Sequence, residues 1–164
     1  MDARNISDLL ITLPSDKEFA MTRSFDAPRE LVFEAWTRPE HVRRWWGGCN
    51  EMAMTVCEID LRVGGAWRYV LRTPDGQEHG FGGVYREIVP PARLVYTMIY
   101  DPYPDNGALT TVLFEDRDGR THITETVRHQ TTEARDAHFK SGVEAGAHET
   151  YTRLENYLAT MKQR

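Results

Sequence analysis

Cysteine is scarce in this chain: Cys49 and Cys57 are the only two in 164 residues. Eight positions apart, they fit neither a zinc-ligand spacing nor a C-x-x-C redox pair, and they read as two reduced thiols. Long apolar runs are lacking too. No stretch approaches a membrane span, and no charged segment followed by an apolar core opens the chain. The motifs of nucleotide and hydrolytic chemistry are missing: there is no P-loop, no G-x-S-x-G and no H-E-x-x-H. Excess positive charge is absent. The formal net charge of −5 argues against nucleic acid or an anionic membrane as partner. The local cluster Arg38, His41, Arg43 and Arg44 reads as a solvated helix face. His79, His122, His129, His138 and His148 are scattered, and none pairs with a thiol or carboxylate at a ligand spacing, so most read as surface residues. These absences lead to the expectation of a cytoplasmic protein with no membrane insertion, no nucleic-acid partner, no metal and no cofactor.

What is present is the pattern of one globular domain. Residues 1–16 read as an N-terminal extension and 17–164 as a single domain. The extension holds a short apolar patch, Leu9-Leu10-Ile11, before Pro14, and reads either as a ragged terminus or as a small element packed on the body. Strands are expected at 17–26, 52–59, 66–73, 79–89, 93–101, 109–116 and 120–129. Pro74-Asp75-Gly76, Pro90-Pro91 and Asp118-Gly119 mark tight connections. Seven strands joined mostly by hairpins make an antiparallel sheet. Between the first two strands, 25–47 (FDAPRELVFEAWTRPEHVRRWWG) reads as two short helices. Pro28 starts the first, and Thr37 with Glu40 has capping-box spacing for the second. Gly47-Gly48 ends it. Residues 132–140 read as a helical turn hinged near Lys140–Ser141. Ser141 with Glu144 suggests another capping box. From there Val143, Ala147, Tyr151, Leu154, Leu158 and Met161 hold helical period for five turns.

The words FDAP…VFEAWT.PEHV.RWWG at 25–47, DLRVGGAWRYVLRTPDG at 60–76, REIVPPARLVYT at 86–97 and FEDRDGRTHITET at 114–126 occur in an order and spacing that resemble a known family. With the helix SGVEAGAHETYTRLENYLA at 141–159, the chain is similar to START-like (SRPBCC, polyketide-cyclase-like) proteins. Within them it resembles the homologues of the activator of the heat-shock chaperone ATPase. The resemblance implies an α+β helix-grip fold of the birch-pollen-allergen kind. In that fold a curved seven-stranded antiparallel sheet and two short helices meet a long C-terminal helix over the concave face.

Strand alternation names the inward residues. Trp67, Tyr69 and Leu71 share one face, Phe81 and Tyr85 another, and Leu94, Tyr96, Met98 and Tyr100 a third; Val112 and Phe114 follow. Such a face is either a solid core or the wall of a cavity. Its richness in Tyr and Trp, whose polar tips need partners when buried, favours a cavity. So do Gly142 and Gly146, one turn apart in the expected covering helix, which leave either a close helix–sheet contact or room for a ligand. The candidate binding residues are Trp36, Trp46, Trp67, Tyr69, Leu71, Phe81, Tyr85, Tyr96, Met98, Phe114, Val143, Gly146 and Ala147. Trp36, Trp45 and Trp46 are expected to close one end. The Gly80-x-Gly82-Gly83 run lacks a strand–turn–helix setting and reads as a bulge or sharp coiling of a long strand.

The leading expectation is binding of an apolar or amphipathic small molecule between sheet and C-terminal helix, without covalent chemistry. An enzyme of cyclase or hydrolase type would need a cavity Glu or His. Glu87 and Glu125 lie on strands, and each reads as outward and paired with Arg86 or Arg128. A co-chaperone-like interaction domain is the third reading. A homodimer is a common state for such small domains.

Overall fold

The computed structural model describes residues 9–47 and 51–163. Cys49 and Gly48 lie outside the described residues. The strands are β1 (Leu10–Ser15), β2 (Glu18–Phe25), β3 (Ala53–Ile59), β4 (Ala66–Arg72), β5 (Glu78–Val89), β6 (Arg93–Tyr100), β7 (Ala108–Arg117) and β8 (Arg120–Arg128). The helices are α1 (Arg29–Thr37), α2 (Pro39–Trp45), α3 (Thr132–Lys140) and α4 (Val143–Lys162). The strands form one antiparallel sheet in the order β1-β2-β8-β7-β6-β5-β4-β3. This is the helix-grip architecture.

Two large apolar sets hold it together, with a smaller third of Phe19, Ala108 and Val127 under Phe139 and Val143. The C-terminal part of α4 inserts Leu154, Leu158 and Met161 among Phe25, Val32, Ala35, Trp36, Val112, Phe114 and Ile123. A second cluster gathers Val42, Cys57, Trp67, Tyr69 and Tyr85 under α2. Between them the small helices lock together: the Trp36 and Trp45 ring centroids are 4.7 Å apart, and the Trp45 indole N–H donates to the Ala35 carbonyl at 3.0 Å. The Cys57 thiol is free, and burial raises its pKa to about 11.

The sheet has eight strands, not seven, because residues 10–15 pair with β2. Pro14 disguises this strand in the sequence. It sits on an edge, where the pairing register shifts between Thr12 and Ser15, and an edge strand tolerates a missing N–H. Neither expected capping box forms. Arg38 is the N-cap of α2, with Pro39 next, while the Thr37 hydroxyl donates back to the Phe33 carbonyl at 2.8 Å. At α4 the N-cap is Gly142, in the left-handed region at φ 108°. The Ser141 hydroxyl instead donates to the His138 carbonyl at 2.5 Å and closes α3. Gly142 is therefore the hinge between α3 and α4, not a residue of the covering helix. A left-handed N-cap turns the chain sharply, and glycine has no Cβ to oppose it.

The β5 glycines mark close approach; the bulge of this strand lies further on, between Tyr85 and Glu87. Trp67 faces Gly83 across β4 and β5, and its indole N–H reaches over β5 to donate to the Thr97 carbonyl on β6 at 3.0 Å. A Cβ on Gly83 would lie 1.9 Å from that same oxygen. Gly83→Ala is therefore expected to destabilise the protein by about 1–3 kcal/mol through overpacking. Urea unfolding reads the difference, and a variant as stable as the parent would show that the strands separate there without cost.

Candidate functional site

The N-terminal half of α4 does not reach the sheet as the C-terminal half does. Val143 and Ala147 are half-buried, whereas Leu154 and Leu158 are fully buried. A cavity of about 410 Å³ fills the difference. Its walls are the inner faces of β4, β5, β6 and β8, the α2 end with Trp46 and Gly47, and the α3–α4 junction. Ser141, Gly142 and Gly146 are exposed and line it, which places an opening where the two helices meet. Trp46 closes the other side, its ring 4.9 Å from Tyr69 and 5.1 Å from Phe81.

Of the candidate residues, Trp36, Trp46, Trp67, Tyr69, Leu71, Phe81, Tyr85, Tyr96, Met98, Val143, Gly146 and Ala147 line this space. Phe114 does not. It is fully buried in the solid core, with its ring 5.2 Å from Phe33 and 5.5 Å from Trp36. Of the two tryptophans expected to close one end beside Trp46, Trp36 and Trp45 are both core residues that also border the cavity. A Cβ added to Gly146 would meet nothing within 4 Å, so this glycine opens space rather than admitting a close contact.

Polar groups are few and clustered. The Tyr69 and Tyr85 phenols lie beside each other, and Tyr96 beside Tyr85 and Trp36. Burial pushes all three phenols upward, so they stay protonated. Glu125 is the unexpected member. β8 turns Ile123, Glu125 and Val127 to the inside, with Ile123 and Val127 buried. The Tyr151 hydroxyl donates to Glu125 Oε1. Burial raises the Glu125 pKa, and the Tyr151 bond only partly offsets this. Glu87 behaves differently: it lies at the surface, paired with Arg93 at 2.9 Å rather than with Arg86 or Arg128.

Two histidines expected at the surface, or on a solvated helix face, are buried. His41, on α2, packs against α4 and α1, with Nδ1 2.6 Å from the Tyr157 hydroxyl and Nε2 3.5 Å from Glu34. His129 Nε2 lies 2.9 Å from His138 Nδ1, and Phe19 packs on both rings. With the Arg135 guanidinium donating to the Ser15 and Glu18 carbonyls at 3.0 Å, this pair docks α3 on the sheet. Among the described residues, no three His, Cys, Asp or Glu side chains converge on a point where a metal ion would sit. No described helix is long and apolar enough to cross a membrane.

A family model described as "Activator of Hsp90 ATPase homolog 1-like protein" matches residues 26–159. Among solved structures, a protein from Rhodobacter sphaeroides is 29% identical with a TM-score of 0.88, covering 93% of this chain and 99% of its own. A protein from Nitrosomonas europaea (23% identical, TM-score 0.83, covering 93% and 100%) shares the fold. So does an AHSA1-like protein from Aeromonas hydrophila (22%, TM-score 0.69, covering 88% and 95%). No curated protein matches the chain.

The histidine pair makes α3 sensitive to acid. Burial first, and His129 second, push the His138 pKa from the usual 6.5 to about 4. Between those values the unfolded chain takes up a proton that the folded chain refuses, so stability present above pH 6.5 is lost as pH falls toward 4. Glu125 contributes with opposite sign, since its raised folded pKa favours the folded state on acidification. Chemical denaturation of His138→Gln beside the parent separates the two. The variant is expected to gain on the parent steadily from about pH 6.5 to about pH 4 and to gain nothing more below. Parallel curves would show that His138 is solvated.

Proposed function

The chain belongs to the family of Activator of Hsp90 ATPase homolog 1-like proteins, and we propose that it binds an apolar or amphipathic small molecule between the sheet and α4. It would act in the cytoplasm as a single domain, to which β1 of the expected N-terminal extension belongs together with 17–164. The observation that carries this reading is the 410 Å³ aromatic-walled cavity under a helix half whose inward residues, Val143 and Ala147, are only half-buried. Cavities of about 300–1,000 Å³ with a few convergent polar groups are the usual form of small-molecule sites. Folds of this kind commonly hold hydrophobic ligands.

A second reading, acid–base catalysis, is favoured by one observation: Glu125 stands inside the cavity, where burial raises its pKa in the direction a general acid or base requires. The rest of the lining is mostly aromatic and aliphatic, so binding remains the stronger reading. For the interaction-domain reading, the exposed large apolar side chains sit on separate elements, with Leu10 and Leu13 on β1, Leu61 and Val63 before β4, and Tyr103 after β6.

Gly146→Leu tests the binding reading. The new side chain would project into the opening without meeting other atoms near its Cβ, and leucine gains up to about 1 kcal/mol of helix propensity over glycine. The variant is expected to melt at or above the parent temperature and to lose uptake of N-phenyl-1-naphthylamine, followed by dye emission and tryptophan quenching. A variant that melts early while binding dye like the parent would assign Gly146 to packing and move the ligand elsewhere.

A further inference from the structure

Glu125 is costly where it stands. It lies mid-strand between two buried aliphatic residues, and a carboxyl in such surroundings needs partners for both oxygens. Tyr151 serves Oε1, and among the described residues nothing bonds to Oε2. Glu125 is enclosed by protein yet keeps accessible surface, and that surface faces the cavity. The second oxygen is thus presented to whatever fills the space.

Among the described residues the cavity offers no permanent cation to pair with an anion. No described lining residue is Lys or Arg. The one basic side chain, His138, stays neutral down to about pH 4. Arg23, beside Tyr151, is engaged with the Tyr151 carbonyl at 2.7 Å and with Glu155. The aromatic side chains of Trp36, Tyr69, Tyr85, Tyr96 and Tyr151 line the same cavity, with Tyr151 bonded to the carboxyl. Ring faces attract cations, more strongly when water is excluded.

We infer that the cavity selects an amphipathic amine, whose protonated nitrogen sits against Glu125 Oε2 while its apolar body fills the aromatic space. The inference rests on the binding reading above and names the ligand class for that same site. An ammonium ion pairs with the Glu125 carboxylate, any proton the carboxyl holds leaving to solvent; a neutral amine takes a proton from the carboxyl or, where it is ionised, from water. Both routes end in the same pair.

Calorimetric titration of the full chain with 1-naphthylmethylamine, 1-naphthylmethanol and 1-naphthoate tests this, because the three share one body and differ in charge. The amine is expected to bind about tenfold or more tightly than the alcohol, and the naphthoate weakest. Glu125→Gln keeps the acceptor for Tyr151, and is expected to cost the amine about tenfold or more while leaving the alcohol unchanged. Alcohol bound as tightly as amine, or amine bound equally by both proteins, would overturn the amine inference and leave the binding reading standing. If none of the three binds, both fall together. Should the Gln variant fold poorly, lost alcohol binding reveals it, and the amine-to-alcohol ratio of the parent decides alone.

Discussion

One helix has to cover the concave face of an eight-stranded sheet, and everything else about this molecule follows from how far it succeeds. A helix of 20 residues spans about 30 Å. Its last three turns bury Tyr151, Leu154, Leu158 and Met161 against α1 and the β2–β8–β7 part of the sheet. Having been fixed there, it leaves the β4–β6 part of the curved sheet at a distance. The Gly142 turn then takes the chain back to α3 without drawing the near end down.

Much of this is readable in the residues. The strand bounds follow from alternation and turn chemistry, and the C-terminal helix from an unbroken apolar period. The inward aromatics follow because a strand has only two faces, so once Trp67 is placed Tyr69 and Leu71 must follow. What escaped depends on contacts distant in sequence. The burial of His41 comes from Tyr157, 116 positions away, and no local pattern announces it. For β1 the residues leave a ragged terminus and a packed element both open, because Pro14 is read as a break unless the strand is known to be an edge. The capping boxes failed for a different reason: the spacing was present, but Thr37 and Ser141 found nearer carbonyls at the ends of the preceding helices.

Glu125 lies between these cases. Parity places it inside, since it alternates with Ile123 and Val127, while the cost of dehydrating a carboxylate places it outside. The structure reconciles the two by giving it a Tyr151 hydroxyl, a raised pKa and a wall that is not closed. Strand parity is the stricter rule, because a single outward turn would carry both flanking aliphatic residues into water with it. A buried polar residue that obeys parity at its own expense is a better pointer to a site than any composition count.

The unequal contact of α4 also bears on descent. Folding is anchored in the last turns of the helix, whereas the first turns and the Gly142 hinge border empty space. Mutations at the near end therefore alter the shape of the cavity with little effect on whether the chain folds. Side chains at the near end can therefore change one at a time, while changes at the far end would open cavities in the solid core and cost stability. The half of the helix that does least for stability is the half free to diversify.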